Sequence, residues 1–167
     1  TATFTVNPSA GAGGTISPST AQIVNYGATP AFTITPNTGY TISSVIGCNG
    51  TLVGNTYTTG AITADCTITA TFAILTYTVT PSAGLNGGIT PSTPQTVNSG
   101  STQSFTVTPN AGYVISSVTG CGGTLVGSTY TTGAITADCG VTAAFVGVID
   151  LTVSALSAPA TLTGGAS

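Results

Sequence analysis

The chain has 167 residues and contains no Lys, Arg, His, Glu, Met or Trp; its ionisable acids are Asp65, Asp138 and Asp150, giving a formal charge of −3. Only 2% of residues are charged, against about 25% in ordinary domains. With no cations to neutralise phosphates or anionic headgroups, nucleic-acid partners and anionic membrane surfaces are excluded.

The same composition favours a folded, self-associating chain. Disorder couples low hydrophobicity to high charge, whereas 41% of this chain is apolar. No apolar run approaches the roughly 18 residues of a membrane span, so no membrane insertion is expected. Weak charge leaves little repulsion between copies. With no initiator Met and no signal peptide, the chain is expected to be a mature, exported piece.

In chain order, the first elements show period-two patterning. Phe4 and Val6 alternate with Thr3 and Thr5, and Phe32 and Ile34 with Thr33 and Thr35. In 66–72, Cys66, Ile68, Ala70 and Phe72 share one face and Thr67, Thr69 and Thr71 the other. Such alternation predicts half-buried strands, and branched Thr suits an uncharged outer face. Turn signals punctuate the strands: Pro8 with Gly11, Pro18, Asn25-Tyr26-Gly27, Pro36-Asn37-Thr38-Gly39, Gly47, Gly50, Gly54 and Gly60. No stretch shows 3.6-residue apolar spacing bounded by caps, so no long helix is expected; one turn over Tyr40–Val45 is the single helical alternative.

From Tyr77 the pattern begins again. Phe32 matches Phe105, Tyr40 matches Tyr113, Cys48 matches Cys121 and Cys66 matches Cys139, all at an offset of 73. The stretch from Gly50 to Cys66 differs from its copy at one position, Asn55 against Ser128. The chain therefore divides into repeat 1 (1–75), repeat 2 (76–149) and an extended tail (150–167).

Four cysteines permit three pairings. Duplication selects Cys48–Cys66 and Cys121–Cys139, because each copy should fold as its own unit. Two thiolates without His are too few for structural zinc, and a redox pair would lie closer in sequence. A disulfide closing such a loop contributes about 3 kcal/mol, which suits a small domain whose core alone supplies about 3–5 kcal/mol. It also implies an extracellular or otherwise oxidising location.

Nothing in the sequence carries catalysis. No base is present to activate a Ser or Thr hydroxyl, and Asp65 and Asp138 each stand alone in Thr-Ala-Asp-Cys. Each Asp is expected to make a local Asx-type hydrogen bond at the turn into the last strand. No cofactor and no metal are expected. Tyr40 and Tyr113 should lie on the core with their hydroxyls at the surface. A glycan or host-surface partner would need an exposed patch, with Tyr26, Asn37 and Tyr40 the candidates.

Taken together, Phe/Tyr-Thr-Val-x-Pro-Ser-Ala-Gly, Gly-x-Ile-x-Pro-Ser, Phe-Thr-x-Thr-Pro-Asn-x-Gly-Tyr and a Cys pair ending in Thr-Ala-x-Phe resemble the divergent internalin-B-type B repeat. The resemblance covers roughly residues 2–146. It implies compact β-grasp-like modules of bacterial secreted or cell-surface proteins, acting as stalks or spacers, with no catalytic residues. The chain departs from that family in having Val45 and Val118 where many members have Trp. The fold class expected is therefore all-β: two tandem β-grasp-like or sandwich-like repeats, each with one disulfide, plus an extended C-terminal strand. That tail resembles the first strand of a bacterial cell-adhesion-related β-sandwich module. Leu151, Val153 and Ala155 fall on one face, which suits donation of a strand to a neighbouring copy, head to tail.

With the four cysteines bridged, no side chain has an ordinary pKa between 5 and 9, so stability should vary little over that range or with salt. Denaturant midpoints compared at pH 5, 7 and 9, and at low and high ionic strength, are expected to agree closely. A steep salt dependence would reveal a charged partner that the sequence does not encode.

Overall fold

In this computed structural model the described residues are 1–148. The tail, with the expected assembly strand Leu151, Val153 and Ala155, lies outside them. The described residues hold sixteen β-strands, eight per repeat, and no helix.

Repeat 1 comprises β1 (Thr3–Ala10), β2 (Gly14–Ser17), β3 (Gln22–Asn25), β4 (Ala31–Pro36), β5 (Tyr40–Ile46), β6 (Thr51–Val53), β7 (Thr56–Thr58) and β8 (Cys66–Ile74). They form two four-stranded sheets, ordered β3-β1-β8-β5 and β2-β4-β7-β6. Every neighbouring pair is antiparallel except β1 and β8, which run parallel from Val6↔Cys66 to Ala10↔Ala70. A parallel pair needs a crossover, and here the crossover contains the whole second sheet. Repeat 2 copies this arrangement with β9 (Thr76–Ala83), β10 (Gly87–Thr90), β11 (Gln95–Asn98), β12 (Ser104–Pro109), β13 (Tyr113–Thr119), β14 (Thr124–Val126), β15 (Thr129–Thr131) and β16 (Cys139–Gly147).

Both sheets of a repeat feed one core. In repeat 1 it holds Val6, Ile16, Phe32, Ile34, Tyr57, Ile62, Ile68 and Ala70. This is the sandwich-like form of the expected all-β fold. Phe32 and Tyr57 lie opposite each other on β4 and β7, each 1% exposed. Burying such side chains stabilises by about 1.5–3 kcal/mol each. The Tyr57 hydroxyl donates to the Gly47 carbonyl at 2.5 Å, and Tyr130 to Gly120 at 2.6 Å, so each ring is buried with its polar end satisfied. Gly47 is held at φ 113°, and a Cβ there would collide with the Thr67 carbonyl oxygen. Glycine is required at that crossing.

Two expectations are corrected. Tyr40–Val45 is strand, not a helical turn: β5 has a bulge between Ile42 and Ser44. Its inward positions become Tyr40, Ile42 and Val45, and the extra residue creates a spacing of three that imitates a helix. Pro8 does not end β1, which runs through it to Ala10. β3 pairs only with Thr3–Val6, so beyond Val6 one side of β1 is open and a residue without an N–H is tolerated.

The two repeats differ at one buried hydroxyl. Thr132 Oγ1 accepts from the Gln103 amide and donates to the Gly133 carbonyl, both at 2.9 Å. Its counterpart Thr59 Oγ1 is buried without a partner, because Pro30 stands where repeat 2 has Gln103 and offers no N–H. Thr59→Val should raise stability by about 1 kcal/mol, whereas Thr132→Val should lower it by about 1 kcal/mol or more. Urea unfolding of the two variants checks the opposite signs; equal shifts would contradict this assignment.

Candidate functional site

The crossover loop into β8 concentrates the polar and covalent ties of each repeat. Positive φ at Cys48 (49°) turns the chain out of β5. Cys48 then joins Cys66 at the start of β8, with Cα atoms 5.5 Å apart; Cys121 and Cys139 do the same at 5.6 Å. Between the cysteines, Ile62 is buried and its backbone is tied at both ends: its amide donates to Ala28 O (2.9 Å) and its carbonyl accepts from Gly27 N (2.8 Å).

Asp65 does not make the local turn bond that the sequence suggested. Its Oδ1 accepts the Thr5 amide at 2.7 Å, sixty residues away in sequence, and Asp138 accepts Thr78 identically. The physical reason lies in the parallel pairing of β1 with β8, which brings the residue before Cys66 alongside the first strand. The carboxylate takes up an amide on β1 just before the β1–β8 ladder begins at Val6. It is a clasp between the two ends of the crossover.

Beside each disulfide is a shallow depression, about 250 Å³ at Cys121–Cys139 and about 100 Å³ at Cys48–Cys66. Gly122 lines the larger one where Asn49 lines the smaller. Both fall below the usual 300–1,000 Å³ of small-molecule sites, and the carboxylate at each rim is already engaged. Among the described residues, no group of three or more His, Cys, Asp or Glu could hold a metal ion.

The candidate binding patch is not assembled. Tyr26 sits where β1 begins, its amide donating to Ala2 O at 2.9 Å and its ring 6.3 Å from that of Phe4. Asn37 and Tyr40 lie where β8 ends, with Tyr40 opposite Ile74. Tyr26 thus stands at the N-terminal pole of repeat 1 and the other two at its C-terminal pole. Tyr40 and Tyr113 are half-buried and stand outside the core clusters, while the core tyrosines are Tyr57 and Tyr130. Their place in the stretch kept between the copies was the available signal.

Nor does the sequence alone mark the hydrogen bonds at the junction between the repeats. The Leu75 amide donates to Gly39 O in repeat 1 (2.8 Å), while its carbonyl accepts from Ser99 N in repeat 2 (2.8 Å). At the offset of 73, Leu75 corresponds both to Ala2, which accepts from Tyr26 N, and to Val148, which donates to Gly112 O. One residue therefore closes one repeat and opens the next, with no linker between them. Around it, Gly39 abuts Ser99: a Cβ on Gly39 would meet Ser99 Oγ at 2.8 Å.

These features define a tandem β-sandwich repeat protein, with one disulfide and one carboxylate clasp per module and a junction of a single residue. The chain belongs to the family described as the divergent InlB B-repeat domain, whose model matches twice, over residues 4–75 and 77–148. That family is associated with bacterial surface proteins. No curated protein and no solved structure matches the chain.

The clasp is testable one residue at a time. Asp65→Ala and Asp138→Ala should each cost about 1 kcal/mol, while Asp65→Asn, which retains the Oδ1 acceptor, should cost less. Thermal unfolding of the three variants measures this. Equal losses for Ala and Asn would assign the effect to charge instead of the bond to β1.

Proposed function

We propose that the chain is a non-enzymatic spacer of the bacterial surface, a stalk or fibre subunit that sets distance by joining modules end to end. One observation carries this reading: the first and last strands of each repeat are parallel neighbours, so the chain enters at one pole and leaves at the other, through a junction residue bonded to both modules. Along the strand direction a repeat covers seven steps of β1 and four more of β8 beyond Ala70, roughly 35 Å at about 3.3 Å per residue. The disulfides fit an oxidising exterior. Head-to-tail joining of copies, with Leu151, Val153 and Ala155 in a donated strand, belongs to the same reading on sequence grounds.

The test is length. Small-angle scattering of the native chain and of a chain with residues 76–148 duplicated in tandem should give a maximum dimension that grows by about 35 Å with the added repeat. An unchanged maximum dimension would mean that modules fold back on one another, and would remove the spacer reading.

A further inference from the structure

Exposed hydrophobic residues differ between the repeats in a directed way. At the N-terminal pole, repeat 1 has Ile23 (77% exposed) and Tyr26 (62%) where repeat 2, at the junction, has Thr96 and Ser99. The C-terminal pole shows the converse. Repeat 2 exposes Leu85 (88%), Val114 (46%) and Val146 (51%) where repeat 1, at the junction, has Ala12, Thr41 and Ala73. Val114 and Val146 are cross-strand partners, beside the point where Val148 N meets Gly112 O. Leu85 lies in the neighbouring loop, whose Asn86 carbonyl accepts from Asn110 N.

Two exposed differences depart from this. Ile46 lies opposite Thr69, away from either pole, and Ile74 is at the junction itself. The exposed edge pair Leu52-Val53 is unchanged in repeat 2 as Leu125-Val126. At five positions, then, the residue near an outer pole is apolar and its counterpart near the covalent junction is small or hydroxylated.

We propose that the N-terminal pole of one chain, through Tyr26 and Ile23, docks on the C-terminal pole of a second copy, through Leu85, Val114 and Val146. This repeats, without a covalent link, the contact that repeats 1 and 2 make across Leu75. The junction supplies the template. There the turn ending at Gly39 packs on Ser99, whereas at the equivalent turn no described residue comes within 4 Å of a Cβ placed on Gly112. The residue that matches Ser99 on an incoming copy is Tyr26. A tyrosine needs more room than the covalent junction gives Ser99, and a contact without the Leu75 tether can provide it. Neither pole carries a Lys or Arg to oppose association, the device by which proteins usually guard exposed sheet margins. The proposal rests on the head-to-tail reading above and adds these two pole surfaces to the donated strand.

The test exchanges pole residues for those the other repeat already carries in the same fold. One full-length variant carries Ile23→Thr and Tyr26→Ser; the other carries Leu85→Ala, Val114→Thr and Val146→Ala. Each should stay folded by circular dichroism. In sedimentation experiments the native chain should gain mass with concentration, and each variant should associate at least about tenfold more weakly. Mixed in equal amounts, the two variants retain one good N-terminal pole and one good C-terminal pole between them. The mixture should give dimers and nothing longer.

Variants that associate like the native chain would overturn the proposal and move the contact to residues 149–167 or to the β6 and β14 edges. A native chain that stays monomeric up to about 1 mM would overturn it too. Since the length measurement requires no association, these failures would leave the spacer reading standing.

Discussion

The parallel pairing of the first and last strands governs the rest of each module. Because β1 and β8 lie side by side and point the same way, everything between them must serve as crossover, and a second sheet forms inside it. That sheet contributes Phe32, Ile34 and Tyr57 to the core. The same pairing places Asp65 against Thr5 and Cys66 level with Val6. An antiparallel closure would return the chain to its starting pole and require a long linker between modules. The parallel one allows a single residue, Leu75, to satisfy both.

Charge is absent where it would usually be found, and backbone and hydroxyl groups take over its tasks. Outward strand positions are largely Thr and Ser, some of them bonded across strands, as Ser44 is to Thr71 at 2.7 Å. The Asp residues of the two repeats are spent on amides of the first strand. Since ion pairs between exposed residues contribute about 0–1 kcal/mol, little stability is lost by omitting them. The usual protection of sheet margins by charge is given up instead, which is compatible with the contact between copies proposed above.

Much of this was legible in the sequence because it depends on period and duplication. Alternation at Phe32–Ile34 and Cys66–Phe72 marked strands and their inner faces, and the duplicated cysteine spacing identified the pairs. Features were lost wherever distant segments meet. Asp65 next to Cys66 looked like a turn former, because nothing local reveals that Thr5 arrives beside it. Tyr57 sits among Thr residues and Tyr40 in a Pro-Asn-x-Gly-Tyr turn, so neighbouring residues do not distinguish the core ring from the half-buried one. The bulge at Ile42–Ser44 changed phase within a strand, which period counting reads as helix. Leu75 looked like a boundary between copies because its two hydrogen bonds lie in different repeats.

The position of the disulfide has a mechanical consequence for a chain anchored at both ends. Tension applied at Thr3 and Ile74 acts at opposite ends of the paired β1 and β8. It therefore loads their ladder in shear, over the positions from Val6 to Ala10 together, instead of peeling them one at a time. If that ladder yields, force reaching Cys48 crosses directly to Cys66. The β6–β7 hairpin, with Tyr57, lies between those cysteines and stays outside the path of the load. Each module would then extend by the chain outside the bridge and halt there, so the cross-link limits how far an overloaded module can lengthen.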